Sequence, residues 1–309
     1  MTGDLTPRVS VVVPSFNNVS FIEATMDSIL AQTFEDFELI VADHSSVDGT
    51  WELLQRYLPD PRVRLLRTEA GGGAPRNWER VTAAARGELL KLVCGDDIIY
   101  PDCLRRQVEA MDANPSVVLV AAQRDLIDAR GALLLSRRGL AGLTGLVAGR
   151  MAARHTVVAG SNIFGEPACV LFRRETLQDA GGWDARTPYV IDEATYVNVL
   201  LRGDFVGIDT SLAAFRLSST QWSVHLAREQ SRQVIGFHHR LADDVSGLLS
   251  RTDLLRGDAR ARGMAYARRL AYLWVGRRMH TDAPPTGTPP TGTPPTGTAP
   301  TGAPHTEAP

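Results

Sequence analysis

The sequence predicts an α/β protein: a mostly parallel sheet flanked by helices, then C-terminal helices and a disordered Pro/Thr/Gly tail. Short apolar, β-branched runs such as Val9–Val13 alternate with segments of helical periodicity, a pattern typical of βαβ units. Of the 309 residues, 44% are hydrophobic and 22% are charged, which suffices for a large core. From Ala283 onward the motif PPTGT repeats without apolar periodicity, so this segment has nothing to bury.

Strands and helices alternate through the first part of the chain. Each predicted strand is a short apolar run, and each predicted helix repeats apolar residues at three- and four-residue spacing. The strands are expected at 9–13, 37–42, 63–66 and 89–93. The helices are expected at 21–30, 51–58, 78–86 and 102–113, with Ser46 as candidate N-cap of the second.

The remainder of the chain is less regular. Strands are expected at 117–121, 168–172, 205–208 and 212–217. Helices are expected at 174–180 and 191–201, and over most of 222–249 and 256–279. Residues 122–165 have scattered glycines and weak periodicity, and no element is assigned to them.

Charge and composition exclude several classes of protein. The net charge is −2, from 33 basic and 35 acidic residues, which argues against a general nucleic-acid binder. No apolar run reaches 18 residues and no signal peptide is recognisable, so neither a membrane span nor secretion is expected. The three cysteines lack CxxC spacing, and we expect free thiols and a cytoplasmic location. No GxGxxG motif follows a strand, which excludes a Rossmann dehydrogenase.

Acidic residues follow two of the predicted strands. Asp43 ends the second strand, and Asp96 and Asp97 follow the fourth. Open α/β sheets bind ligands at the carboxyl ends of their strands, so these side chains are expected to face one crevice. Adjacent carboxylates repel unless a positive charge lies nearby, and Mg²⁺ or Mn²⁺ with a diphosphate would supply one.

Three segments carry a resemblance to a known family. They are VSVVVPSFNN, FELIVADHSSVDGT and GELLKLVCGDDIIYPDCL, in this order. Together they resemble the inverting glycosyltransferases of family 2, which have the GT-A fold, strongly over residues 8–110 and more weakly over 165–230. The resemblance implies a nucleotide-sugar-binding half at 1–110 and an acceptor-binding half at 111–222. A helical segment at 223–280 and the tail at 281–309 would follow.

The resemblance assigns donor-binding roles to five positions. Pro14, Phe16 and Asn17 match the loop that lies against the nucleoside. Asp43 matches the aspartate that bonds the base, and a carboxylate suits the imide N–H of uracil or thymine. Asn77 matches the asparagine near the diphosphate and donor sugar, at the start of a helix.

The third segment implies a metal site. Asp96 matches the last acidic residue of the Asp-x-Asp motif, which holds the metal, and Asp97 is a candidate contact to the sugar. The first aspartate of that motif is replaced here by Cys94, which puts the ribose contact in doubt. Arg216 and His225 lie where the family often contacts the diphosphate, although a structural role is also open for each.

The family's general base is an aspartate ahead of a helix that ends in glycine. Counting back from Gly203 puts it on Asp192, with Glu193 as the rival carboxylate. Adjacent helix positions point about 100° apart, so only one of the two can face the crevice.

The implied activity is transfer of a sugar from a UDP- or TDP-activated donor to an acceptor hydroxyl by a single displacement, with Mg²⁺ or Mn²⁺. The acceptor, whether a glycan, a lipid-linked molecule or a small molecule, stays open. A non-catalytic nucleotide-sugar-binding protein is one alternative. A sugar-1-phosphate nucleotidyltransferase is another, although its glycine-rich loop is absent after the first strand. The basic, aromatic-containing helix at 260–278 is expected either to pack on the domain or to make peripheral membrane contact.

Overall fold

The computed structural model describes residues 6–218 and 229–276, and within them one ten-stranded sheet is flanked by helices. The strands are β1 (Val9–Ser15), β2 (Phe37–Asp43), β3 (Val63–Arg67), β4 (Leu89–Leu92), β5 (Ile98–Ile99), β6 (Val117–Ile127), β7 (Leu133–Arg138), β8 (Gly145–Val147), β9 (Val170–Arg173) and β10 (Asp204–Arg216). The helices are α1 (Ile22–Leu30), α2 (Thr50–Leu54), α3 (Gly73–Ala83), α4 (Cys103–Asp112), α5 (Gly149–Ala159), α6 (Arg174–Asp179), α7 (Ile191–Leu200), α8 (Gln230–Asp244) and α9 (Arg251–Val275).

One half of the sheet is built from the first four strands. Their order is β3-β2-β1-β4, and every pair in it is parallel. Both β1 and β2 are buried along all seven residues, because helices cover both faces. This burial explains why the two strands are read in the sequence as continuous apolar runs.

The other half continues the same sheet in the order β9-β6-β10-β5. Strand β9 runs antiparallel to both β4 and β6, while β6 and β10 pair in parallel over most of their length. Strands β7 and β8 pair with β6 and β10 from outside this order. The predicted α/β class, with its mostly parallel sheet, is confirmed.

One predicted N-cap and one predicted helix start are wrong. Helix α2 begins at Thr50 after Gly49, which has a φ of 96°, and Ser46 does not cap it. Instead, Asp48 accepts a hydrogen bond from the Thr50 backbone N–H at 3.0 Å, as its Asp-Gly-Thr turn favours. Helix α3 begins at Gly73 rather than Trp78, because Gly72 takes the left-handed conformation at its N-cap.

Residues 122–165, to which the sequence assigns no element, contain strands and a helix. Strand β6 continues to Ile127, and β7, β8 and α5 follow. Residues 204–216, predicted as two strands, form the single strand β10, whose pairing with β6 contains register shifts. These shifts interrupt the two-residue periodicity on which the prediction depended.

Helices α8 and α9 close the described part of the chain. Ser250 and Asp253 form a capping box at the start of α9, which packs against α5 and α8. The helix predicted over 222–228, His225 and the tail at 281–309 lie outside the described residues. Within 6–218 and 229–276, no helix is long and apolar enough to cross a membrane.

Candidate active site

The carboxyl ends of β1, β2 and β4 lie at one edge of the sheet. At this edge Asp43, the last residue of β2, pairs with Ser15 at the end of β1. Asp43 is fully buried, and its Oδ2 accepts a hydrogen bond from the Ser46 N–H at 3.1 Å. Its Oδ1 is also buried and has no hydrogen-bond partner in the described structure. A buried acceptor in this state needs a donor from elsewhere.

Asn77 presents a second such oxygen at the same edge. It lies in the first turn and a half of α3 and is 3% exposed. Its Nδ2 donates to the Ala42 carbonyl at 3.2 Å and to the Ser15 carbonyl at 3.4 Å, which ties α3 to β1 and β2. Its Oδ1 is buried and unpartnered among the residues described.

The loop after β1 lies beside Asp43. Pro14 is buried within the strand, whereas the Phe16 side chain is 39% exposed and meets the His44 ring edge-on, with centroids 6.1 Å apart. Asn17 has a φ of 50°, and its N–H donates to Ser46 Oγ at 2.9 Å. The loop thus offers an exposed aromatic face, and Asn17 holds its conformation.

The acidic segment after β4 is held by Arg216 from β10. The Arg216 N–H donates to Asp97 Oδ1 at 3.2 Å, and its Nε donates to the Asp96 carbonyl at 2.9 Å. Its guanidinium also lies 5.0 Å from the Phe21 ring centroid. Asp97 is fully buried, and its Oδ2 has no hydrogen-bond partner within the described ranges, while Asp96 is half-buried.

The charges of four carboxylates act on Cys94. Burial raises the pKa of the Cys94 thiol well above its usual range, and the charges of Asp97, Asp96, Asp192 and Glu166 raise it further. The thiol therefore stays protonated at neutral pH and is a poor nucleophile. These carboxylates come from distant parts of the chain, so residues 94–97 share one electrostatic environment with the loop before β9 and with α7.

Asp192 lies in the first turn of α7. Its Oδ1 accepts from the Glu193 N–H at 2.8 Å, and its Oδ2 accepts from Asn162 Nδ2 at 2.9 Å. Burial raises the pKa of Asp192 to about 6, although both hydrogen bonds favour the ionised form. At neutral pH the carboxylate is mostly ionised, as a proton acceptor must be.

Glu193 points into the interior. It is 1% exposed, and its Oε1 accepts from Thr156 Oγ1 at 2.8 Å. Burial raises the pKa of Glu193 to about 8, so at neutral pH it is mostly protonated. Of the two neighbours, only Asp192 combines an ionised state with a position near Cys94.

Three residues at this site were not found from the sequence. Glu166 pairs with Arg124 of β6, with 3.1 Å between Oε1 and Nη2. Asn162 donates to both Asp192 and the Gly165 carbonyl, so it joins the loop before β9 to α7. These residues lie in or next to the segment without clear periodicity, and no motif marks them.

The family model described as "Glycosyl transferase family 2" matches residues 10–181. The chain belongs to this family, and it is a glycosyltransferase with the GT-A fold. An uncharacterized protein of Mycobacterium tuberculosis is 29% identical, over 77% of this chain and 73% of its own length. Glycosyltransferase GlyG of Streptococcus pneumoniae is 34% identical, over 34% of this chain and 36% of its own length. The chain spans less than half the length of several other curated relatives that it matches.

Solved structures share the fold. S. aureus TarS 1-349 in complex with UDP-GlcNAc superimposes with a TM-score of 0.63 at 16% identity, over 88% of this chain and 78% of that one. The mannosyltransferase PcManGT from Pyrobaculum calidifontis, in complex with GDP-Man and Mn²⁺, superimposes with a TM-score of 0.60 at 18% identity. That match covers 88% of this chain and 77% of the mannosyltransferase.

Proposed function

We propose that this chain is a metal-dependent inverting glycosyltransferase. It moves a sugar from a UDP- or TDP-activated donor to an acceptor hydroxyl by one displacement. The observation that carries the proposal is the set of polar groups at the carboxyl edge of the sheet. The buried oxygens Asp43 Oδ1 and Asn77 Oδ1 have no hydrogen-bond partner in the described part of the chain and lie at the same edge of the sheet as the acidic segment. The charges of Asp96, Asp97 and Asp192 all act on Cys94.

The donor base is expected beside Asp43. Uracil and thymine carry an imide N–H, which would donate to the buried Asp43 Oδ1 and remove the cost of leaving it unpaired. Phe16 and Asn17, with Pro14 beneath them, would lie against the nucleoside. Two structures of the same fold were solved with nucleotide sugars, UDP-GlcNAc and GDP-Man, which supports this class of donor.

A divalent cation fits the acidic segment. Asp97 Oδ2 is buried and unpartnered, and within 6–218 and 229–276 no group of three His, Cys, Asp or Glu side chains is placed to hold a metal. Mg²⁺ and Mn²⁺ accept this arrangement, since one or two carboxylates with phosphate oxygens and water complete their coordination. Asp96 would hold the cation and Asp97 would support it or contact the sugar. When bound, the cation would neutralise the charge that develops on the departing diphosphate.

Asp192 would act as the general base. Its carboxylate would take the proton from the acceptor hydroxyl as that oxygen attacks the anomeric carbon. The bond between the anomeric carbon and the diphosphate oxygen breaks in the same step, so the configuration inverts. Because the Cys94 thiol is protonated, no covalent intermediate on it is expected.

The proposed organisation follows from these roles. Residues 1–110 would bind the donor, and residues 111–222, which include Asp192, would bind a glycan, lipid-linked or small-molecule acceptor. Residues 223–280 would form a helical segment and 281–309 a tail without a catalytic role. Free thiols at all three cysteines are consistent with a cytoplasmic enzyme.

Thermal-shift titration tests the donor and the metal together. UDP, TDP, GDP and ADP are each added with and without Mn²⁺. Selective stabilisation by UDP or TDP that needs Mn²⁺ is expected, and ligand at about 100 times its Kd should add roughly 2.7 kcal/mol. The Asp43→Asn variant should lose the selectivity for UDP or TDP, and Asp96→Ala should lose the Mn²⁺ effect while staying folded. Equal responses to all four nucleotides, or responses that ignore Mn²⁺, would contradict the proposal.

A further inference from the structure

One face of helix α9 packs against the rest of the protein. Ala261 and Ala265 are 3% and 5% exposed on this face. At Gly257 the backbone is so close to α5 that a Cβ would lie 2.4 Å from the Val157 carbonyl oxygen. Packing on the domain therefore accounts for one side of the helix and leaves the other side to be explained.

The opposite face carries exposed apolar side chains. Leu255 is 71% exposed, Tyr266 is 65% exposed and Leu270 is 51% exposed. At 100° per residue, these three positions fall within an arc of about 60°, and at 1.5 Å per residue they span about 22 Å. We call this row the outer stripe of α9. An exposed apolar row of this length on a helix is typical of a surface that binds a protein or a membrane.

The exposed charges of α9 itself over 251–270 are of one sign. Both acidic residues of α9 are buried and paired, Asp253 with Arg154 and Asp258 with His238 and His239. By helical periodicity Arg262 lies on one side of the stripe and Arg256 on the other. Over 251–270 the exposed charged side chains are Arg251, Arg256, Arg260, Arg262 and Arg269.

We propose that the outer stripe of α9 docks on an anionic phospholipid bilayer. An apolar row flanked by arginines is the arrangement of helices that lie in the plane of a membrane interface. The apolar side chains enter the boundary between headgroups and acyl chains, and the arginines extend to the lipid phosphates. The sequence left open whether residues 260–278 pack on the domain or contact a membrane. The described stripe begins earlier, at Leu255, and residues 277 and 278 lie outside the described structure.

Other occupants fit the outer stripe less well. A second copy of α9 laid against it would oppose two rows of arginines, and like charges across an interface are unfavourable. A nucleic acid would use the arginines but would gain little from an exposed aliphatic side chain such as Leu255. Only a surface with both an apolar layer and negative charge uses every feature of this face.

Vesicle flotation of the full chain tests the proposal. Vesicles of phosphatidylcholine alone are compared with vesicles that also contain phosphatidylglycerol. Binding to the anionic vesicles is expected, and it should weaken as salt is raised. The pairs Arg256→Glu with Arg262→Glu, and Leu255→Ser with Tyr266→Ser, should each lower the binding tenfold or more.

Matched controls separate this face from general effects of charge or apolar area. Arg56→Glu with Arg138→Glu makes the same change in net charge at exposed positions elsewhere, and Leu133→Ser removes a 58%-exposed leucine from β7. Both controls should bind vesicles as the unaltered chain does. Circular dichroism and thermal unfolding establish that every variant is folded. Because flotation needs no turnover, its result is independent of the reaction proposed above.

Three outcomes would overturn the proposal. Equal binding to both kinds of vesicle, or binding that neither pair of substitutions changes, would exclude this face as a lipid surface. Loss of binding with the arginine pair but not with Leu255→Ser and Tyr266→Ser would indicate a site for a polyanion. A dimer in the absence of vesicles that the Leu255 and Tyr266 substitutions abolish would indicate a self-association face.

Discussion

Asp192 and Glu193 are adjacent in sequence, but the fold gives their carboxyl groups different hydrogen-bond partners and different pKa values. Asp192 accepts two N–H hydrogen bonds and lies near Cys94, and burial brings its pKa to about 6. Glu193 is directed into the interior at Thr156, and burial brings its pKa to about 8. A base for an acceptor hydroxyl must be ionised at working pH, so Asp192 is the better candidate.

The Asp192→Asn variant should therefore lower kcat by about 10²- to 10⁴-fold and leave nucleotide binding unchanged. In the unaltered enzyme, kcat/KM should fall as pH drops through about 6, because protonation removes the base. Donor turnover with water or a glycan as acceptor, measured from pH 5 to 8, gives both quantities. A variant that retains full activity would exclude Asp192 as the base.

Asn162 is expected to position that base. Its amide donates to the Asp192 carboxylate and favours the ionised form, so Asn162→Ala should raise the pKa of Asp192. The acid limb of the kcat/KM profile should then move to higher pH, with little change in donor KM. Asn198→Ala is the matched control, because Asn198 of α7 donates to Asp184 at 3.4 Å instead. An unmoved acid limb in Asn162→Ala would show that this hydrogen bond does not tune the base.

At the scale of elements, a close approach between α5 and α9 depends on a missing side chain. Gly257 of α9 meets the Val157 carbonyl of α5, whereas Gly263 of the same helix has no atoms near its would-be Cβ. Both are glycines inside one helix, and the sequence does not distinguish them. The difference exists only because α5 lies against one face of α9.

The two glycines should respond in opposite directions to alanine. Gly257→Ala should destabilise the fold by about 1–3 kcal/mol, since its Cβ would lie 2.4 Å from backbone. Gly263→Ala should stabilise it by up to about 1 kcal/mol through helix propensity alone. Urea unfolding of both variants gives the two free energies. Equal effects would mean that α9 does not pack on α5 as described.

At the scale of the whole molecule, one sheet joins the proposed donor and acceptor halves. Strand β9 pairs with β4 on one side and with β6 on the other, so the loop that precedes β9 lies beside the end of β4. This loop carries Asn162 and Glu166, and its position brings them to the acidic segment. The site is thus a consequence of strand order rather than of any one motif.

Residues 281–309 should be dispensable for this architecture. Their PPTGT repeats contain no apolar side chain large enough to add to a core. Ending the chain at 280 should leave the unfolding temperature, nucleotide-induced stabilisation and donor turnover unchanged. A lower unfolding temperature for the shortened chain would mean that the tail packs on the domain.

The sequence by itself determined the α/β class, the parallel half of the sheet and the family. Local periodicity and the motifs around Asp43 and Asp96 are short-range signals, so they can be recognised without knowledge of the rest of the fold. The same signals predicted where β1 and β2 lie, because both strands are buried on both faces and read as apolar runs.

Only the tertiary structure decided how the second half completes the site. The register shifts in β10, the ordered segment at 122–165 and the positions of Asn162 and Glu166 depend on contacts between residues far apart in the chain. The pKa difference between Asp192 and Glu193 likewise depends on burial and on distant charges. Such properties arise from long-range packing, which periodicity along the chain does not encode.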